Sequence, residues 1–340
     1  MIQSDAGRAR SPDDAVASVM ASAGLVGESG PMTRVRALVN RVAATDASVL
    51  VIGESGTGKE VVAQALHAGS PRAEREFRAI NCGAIPATLI EAELFGFEKG
   101  SFTGATRTHD GIVGQAHGGT LFLDEITEMP MDTQPPLLRF LETRRYFRVG
   151  GTHELFTDVR VVAATNRLPA DAMRENRLRE DLYYRLAAFP IELPPLRERG
   201  EDVVELAEFF LARLNDAAGT AKRFSAGSLD AARRHAWPGN VRELKHAVEC
   251  AFILGDRVVD LCAALRVSPD ATARAMLPQD VGDALYVRIG SRLSDVERWL
   301  IEATLQRFSG NKRRTADVLG CSVKTLYNKL NRYAQPAGET

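Results

Sequence analysis

The sequence predicts an α/β fold, a parallel sheet with helices, extended by an all-helical segment and ending in a small all-α helix-turn-helix unit. Three observations predict it. Short apolar runs at Ser48–Ile52, Thr120–Leu123 and Val159–Ala164 alternate with helical patterns, as buried parallel strands do. After Pro194 and Pro195 such runs stop, and residues 200–255 carry helical periodicity alone, punctuated at Trp237-Pro-Gly-Asn240. Residues 291–340 then hold nine Lys or Arg against five Asp or Glu, a net +4. The chain as a whole is at −1, so the other 290 residues carry −5.

Taken in order, residues 1–22 are small and polar and read as a flexible tail. Val35, Leu38, Val39 and Val42 have helical spacing and lead into the first strand. The α/β unit spans 23–194 and the helical unit 195–262. Residues 263–290, with Pro269 and Pro278, read as a linker whose end, Leu285–Ile289, alternates like one short strand. Residues 291–335 form the helix-turn-helix unit.

Composition excludes several classes. The 340 residues are 45% hydrophobic and 26% charged, which rules out a wholly disordered chain or a collagen. No apolar run approaches the ~18 residues of a membrane-spanning helix, and the N-terminus lacks the apolar core of a signal peptide. Cys82, Cys250, Cys262 and Cys321 form no CxxC pair, so zinc-ligand spacing is absent. They read as reduced, buried thiols, and a cytoplasmic location is expected.

Gly53-Glu54-Ser55-Gly56-Thr57-Gly58-Lys59 fits GxxxxGK directly after a strand and before a helix. Glycines let backbone N–H groups turn toward phosphate oxygens, the helix N-terminus adds a positive dipole, and Lys59 reaches the terminal phosphates of ATP. Glu60 stands where a Ser or Thr hydroxyl ordinarily meets Mg²⁺, so the metal must use other ligands. The run Gly118–Glu125 supplies them: Asp124, at a strand end, is placed to hold Mg²⁺, and Glu125 to polarise a water. Thr165 and Asn166 end a third strand at the same edge, where they are expected to sense the γ-phosphate or simply cap a helix.

These motifs resemble those of the bacterial enhancer-binding proteins, AAA+ ATPases that activate sigma-54 RNA polymerase. Residues 23–262 resemble their ATPase core with its α-helical lid, and 291–335 their Fis-like DNA-binding domain. The family carries GESGTGKE, with Glu60 included. The resemblance implies that Asn81, in Phe77–Cys82, holds Glu125 until the nucleotide state changes. It implies trans-acting fingers at Arg179 and Arg185, hence a hexameric ring. It makes Arg242, in Trp237-Pro-Gly-Asn-Val-Arg-Glu-Leu244, a lid residue that reaches the nucleotide, and Pro195–Arg199 the hinge.

Gly100-Ser101-Phe102-Thr103-Gly104-Ala105 is an apolar tip between two glycines. Its Phe either tucks into the core or offers an exposed contact. The family's loop reads GAFTGA and contacts sigma-54 and promoter DNA as nucleotide turns over. Resemblance also makes Arg148–Thr152 a second pore-facing loop.

In Asn311–Leu330, Ala316 is small where two helices cross and Gly320 permits the turn, while Val323, Leu326 and Leu330 form an inward stripe. Ser322, Lys324, Thr325, Asn328 and Lys329 fall on the side that reaches base edges or phosphates. Lys312, Arg313 and Arg332 suit phosphate contacts. The Fis-type pattern implies a dimeric DNA-binding domain.

Three functions compete: an ATP-driven activator that binds upstream enhancer DNA and remodels the closed complex of sigma-54 RNA polymerase holoenzyme, a non-hydrolysing repressor, and a general AAA+ remodeller. Lys59, Asp124, Glu125 and Arg185 favour the first over the second, and the GSFTGA loop with the basic tail favours it over the third. Twenty-two leading residues are too few for the receiver module that family members commonly carry, so regulation in trans, by a partner protein or by expression level, is expected.

Overall fold

The computed structural model describes residues 24–102, 104–267, 279–281, 284–286, 293–308 and 310–334, with the side chains of 266–267, 279–295, 306 and 331–334 excepted. The leading tail and most of the 263–290 segment lie outside the described residues. The chain divides into two units, Met1–Leu261 and Cys262–Thr340.

In the first unit, β1 (Val49–Ile52), β2 (Phe77–Asn81), β3 (Thr120–Asp124), β6 (Arg160–Thr165) and β7 (Phe189–Glu192) form one parallel sheet in the order β2-β3-β6-β1-β7. The three apolar runs of the sequence are its three central strands. Both edges escaped the pattern for physical reasons. Phe77-Arg-Ala-Ile-Asn81 buries Ile80 alone, and β7 carries Pro190, which a sheet accepts at an edge. A short antiparallel pair, β4 (Arg145–Phe147) with β5 (Glu154–Phe156), stands apart from the sheet.

Alternate residues of the central strands supply two cores, one on each face. Leu50, Leu121, Leu123, Val161 and Ala163 pack on one side; Val49, Val51, Phe122, Val162 and Ala164 pack on the other. Helix α1 (Gly30–Ala43) joins the second core through Met32, Val35, Val39 and Val42. Its N-cap, Ser29, accepts from the Met32 amide. Helix α2 (Lys59–Ala68) follows β1 directly and buries Val62, Ala63 and Leu66 against that core.

Arg160 is fully buried in β6. Its guanidinium donates to the carbonyls of Val42 and Ala43 at 2.9 and 2.7 Å, and to Leu66 O at 3.4 Å. These are carbonyls in the last turns of α1 and α2, where backbone acceptors lack helical partners and a cation meets the negative dipole end. Burial pushes the Arg160 pKa down, with Asp46 opposing and Arg72 adding to the fall.

Helices α3 (Glu180–Leu186), α4 (Asp202–Ala218), α5 (Ser228–Arg234) and α6 (Asn240–Leu254) follow. Helical periodicity alone was expected over residues 200–255. The structure adds a two-residue parallel pair, β8 (Arg223–Phe224) with β9 (Val258–Val259), too short to leave a pattern.

In the second unit, β10 (Gln279–Val281) pairs antiparallel with β11 (Ala284–Tyr286), so the expected strand near 285 starts one residue early and has a partner. Helices α7 (Leu293–Arg307), α8 (Lys312–Val318) and α9 (Val323–Ala334) enclose Ile301, Ala316 and Leu326, with Leu319 and Leu330 against them. Gly320 turns the chain at φ +67°. Val323 was expected inward; it is 43% exposed, because it opens α9 ahead of the first turn that packs.

The expectation of four buried thiols holds for Cys82, whose pKa burial pushes up to about 12. Cys250 is exposed, at the flank of the buried stripe of α6 that carries Ala247, Val248 and Ala251, and Cys262 and Cys321 are half-buried. Among the described residues no helix is long and apolar enough to cross a membrane.

Candidate functional site

The carboxyl ends of β1, β6 and β3 meet at one edge, and the loop after β1 begins there. Gly53 N donates to Thr165 O at 3.1 Å, which ties the loop to β6. Gly58 has φ +103° and is the N-cap of α2 with no side-chain cap. A Cβ on it would meet nothing within 4 Å. The first amides of α2 have no helical acceptor and the space beside Gly58 is open, the two conditions an anion cradle requires.

Lys59 is 7% exposed. Its Nζ donates to Gly53 O at 2.9 Å and Glu54 O at 3.2 Å, and lies 3.9 Å from Glu125 Oε1. Burial lowers its pKa, while Glu125 and Asp124 pull it back up. Glu125 is shifted upward, chiefly by burial, with Lys59 opposing. Glu125 also sits at φ +52°, in the left-handed region. A non-glycine residue held there is strained, and such strain gathers where a side chain must be aimed.

Asn81 was expected to hold Glu125. It holds Asp124 instead: Asn81 Nδ2 donates to Asp124 Oδ2 at 3.1 Å. The register explains it, since Asn81 and Asp124 are paired across β2 and β3 and project to the same face. The left-handed turn at Glu125 swings the next carboxylate toward β6, where its Oε2 accepts from the Asn166 amide at 3.3 Å. Of the two expected sensors, Asn166 is exposed beside Glu125. Thr165 is fully buried, its hydroxyl bonded to Thr127 Oγ1 at 3.1 Å and accepting from Arg167 N at 3.0 Å, so it shapes the turn and does not face the cradle.

Asp124 and Glu125 are the two carboxylates at the cradle, and among the described residues no three or more His, Cys, Asp or Glu side chains converge so as to hold a metal ion by themselves. That donor set fits Mg²⁺, which takes one or two carboxylates and completes its shell with phosphate oxygens and water. Glu60 is exposed and accepts from Gln64 Nε2.

The outer side of the loop belongs to the helical segment. Glu54, expected at phosphate, takes a two-armed bond from Arg197 at 2.6 and 2.9 Å and a third from Asn240 at 3.1 Å. These bonds hold its carboxyl below the usual range. Arg242 donates from Nη1 to Ser55 Oγ at 3.0 Å and from its amide to Gly56 O at 3.2 Å. Thr57 is buried, its hydroxyl on Glu54 O. Arg197, Arg199 and Asn240 carried no signal beyond the hinge and lid motifs, because their partners are 143, 142 and 186 residues away.

Arg179 and Arg185 do not join this cradle among the described residues. Arg179 pairs with Asp181 at 2.8 Å, and Arg185 donates to Leu141 O at 3.0 Å.

The Gly100–Ala105 segment is a closed turn: Gly100 N donates to Ala105 O at 2.8 Å, and Ala105 N to Phe102 O at 3.0 Å. Thr103 lies outside the described residues. Phe102 takes neither extreme, being 39% exposed with one edge on Phe97, centroids 5.0 Å apart. Ala105 is buried and Gly104 exposed. The Arg148–Thr152 loop packs against this turn. Arg148 bonds Glu98 at 2.8 Å, and a Cβ on Gly150 would lie 2.6 Å from Ser101 Cβ. Ser101 Oγ is buried with no hydrogen-bond partner among the described residues.

In the second unit, Arg313, Lys324 and Asn328 are exposed. Lys312 lies over the Tyr327 ring at 4.1 Å, and Lys329 pairs with Glu297 at 2.6 Å. Ser322 caps α9, accepting from Thr325 N at 3.0 Å, and its hydroxyl also meets Thr325 Oγ1. The side chain of Arg332 lies outside the described residues.

Comparison with known families gives three consecutive matches: a sigma-54 interaction domain over residues 25–192, an AAA+ ATPase lid domain over 197–274, and a bacterial regulatory protein domain of the Fis family over 292–333. The nitrogen fixation protein AnfA of Azotobacter vinelandii is 42% identical over 310 residues, 91% of this chain and 57% of AnfA. The regulatory protein LuxO of Vibrio vulnificus is 42% identical over 313 residues, 91% of this chain and 69% of LuxO. The chain thus spans little more than half of AnfA and about two thirds of LuxO. Among solved structures, NtrX from Brucella abortus in complex with ATP matches 91% of this chain and 69% of its own, at 33% identity and a TM-score of 0.63.

Proposed function

This chain belongs to the family of sigma-54-dependent transcriptional activators, with an AAA+ ATPase core and a Fis-family helix-turn-helix domain, and on that premise we propose that it hydrolyses ATP to convert the sigma-54 polymerase closed complex to the open one. The observation that carries the reading is the convergence of Lys59, Asp124 and Glu125 on one open-amide cradle at the carboxyl ends of three parallel strands.

In this reading the amides of Gly53–Glu60 and Lys59 take the phosphates. Mg²⁺, when bound at Asp124, neutralises charge on the phosphate oxygens. Glu125 accepts a proton from the attacking water, and the Asn166 amide fixes that carboxylate. Arg179 and Arg185, which lie away from the cradle of their own chain, act across a subunit boundary, so the active form is a ring, hexameric by family. The turn bearing Phe102 contacts sigma-54, and Lys312, Arg313, Lys324, Thr325, Asn328, Lys329 and Arg332 contact enhancer DNA, with Ser322 shaping the reading helix. A cytoplasmic location completes the proposal.

Two measurements test it. Burial raises the Glu125 pKa, and only its charged form accepts a proton. ATP turnover is therefore expected to fall on the acid side with a midpoint above pH 4.5, the group's ordinary value. A midpoint below that value, or no acid limb, removes Glu125 as the base. Removing residues 291–340 is expected to spare ATP hydrolysis and abolish site-specific DNA binding. A truncated protein that still shifts an enhancer fragment in a gel refutes the assignment of DNA reading to that end.

A further inference from the structure

The loop around Lys59 has two sides with different owners. Gly58 and Lys59 face the open cradle, but residues 54 to 57 are each held by the helical segment or the hinge before it. Glu54 is bonded by Arg197 and Asn240, Ser55 by Asn240 and Arg242, Gly56 by the Arg242 amide, and Thr57 O by Arg199 Nη2 at 2.8 Å. The approach is close: a Cβ on Gly56 would lie 2.4 Å from Gly239 O.

Asn240 is the node of this contact. It is fully buried at the start of α6, with φ +52°. Its Nδ2 donates to Glu54 Oε2 at 3.1 Å and to Ser55 O at 3.0 Å, while its Oδ1 accepts from Leu196 N, in the hinge, at 2.8 Å. One amide thus joins hinge, helical segment and phosphate loop. A single planar group with a donor and an acceptor end does this where a carboxylate would repel Glu54 and a hydroxyl would be too short.

We infer that Asn240 is a positioning residue, the link through which the angle of the helical segment sets the shape of the phosphate loop and therefore the affinity for nucleotide. Arg242, two residues on, moves with Asn240 as part of one helical turn. A displacement of α6 therefore pulls residues 54 to 56 together. Glu54 serves this link and not the phosphates. The inference rests on the nucleotide-site reading above.

The test uses the full chain. Asn240→Gly keeps the left-handed backbone and removes the amide. It is expected to raise KM for ATP about tenfold, the worth of hydrogen bonds to a charged and a part-buried acceptor, with kcat within about threefold. Asn240→Asp is expected to be worse, with two carboxylates facing each other. Combining Asn240→Asp with Glu54→Gln exchanges donor and acceptor at the Glu54 contact, leaves Ser55 O and the Arg197 pair unrestored, and is expected to recover part of that loss. A merely structural role predicts no such rescue. KM within twofold of wild type in Asn240→Gly, or a double variant no better than Asn240→Asp, overturns the inference; if Asn240→Gly fails to fold, the exchanged pair decides alone. Should the wild-type protein not hydrolyse ATP, the site reading fails, and amide hydrogen exchange over residues 54–57 still decides the link. Faster exchange in Asn240→Gly supports it, and unchanged exchange refutes it.

Discussion

Lys59→Ala is expected to lower kcat/KM for ATP by about 10²- to 10³-fold, the usual cost of removing one preorganised charge-stabilising donor from a dry site. Two effects combine. The cradle loses the cation that meets the terminal phosphates, and Glu125 loses the positive partner 3.9 Å away that opposes its upward shift. Since Lys59 is 7% exposed and its Nζ bridges two loop carbonyls, no neighbouring lysine can substitute. Steady-state phosphate release and binding of a fluorescent nucleotide give the answer. Turnover that survives unchanged would falsify the placement of the site.

Phe102→Ala is expected to separate hydrolysis from output. The ring lies on the Gly100–Ala105 turn, away from Lys59 and Glu125 in every contact it makes, so ATP turnover should stay within about threefold. An aromatic contact at the centre of an interface is worth 2 kcal/mol or more, so open-complex formation should fall about thirtyfold. The edge-on contact with Phe97 sharpens the expectation. Losing it frees Phe97 as well, and Phe102→Leu, which keeps apolar bulk without the aromatic edge, should retain part of the output. Permanganate footprinting of the promoter start region reads the open complex directly. If Phe102→Ala melts promoter as wild type does, the turn is not the contact.

The sheet was legible in the sequence where burial is two-sided. Ser48–Ile52, Thr120–Leu123 and Val159–Ala164 read as strands because both faces are covered. The edge strands β2 and β7 did not, since one is half-polar and the other contains Pro190. The cradle was legible because Gly53–Lys59 is contiguous and its chemistry is local. What escaped was set by cross-strand register and by long-range packing. The partner of Asn81 depends on which residue of β3 lies opposite it. The roles of Glu54 and Asn240 depend on chain segments 186 residues apart meeting edge to edge. Thr165 looked free at a strand end, and only the packing of Thr127 against it shows its hydroxyl to be spent.

The buried guanidinium of Arg160 bears on how the two ends of α2 are coupled. Helix α2 starts at the phosphate cradle and runs ten residues, about 15 Å, to a last turn whose Leu66 carbonyl Arg160 holds from the opening residue of β6. The same cation grips the end of α1. One buried side chain thus ties the far ends of two helices to the central strand, so the cradle end of α2 and its opposite end are both referred to the same sheet.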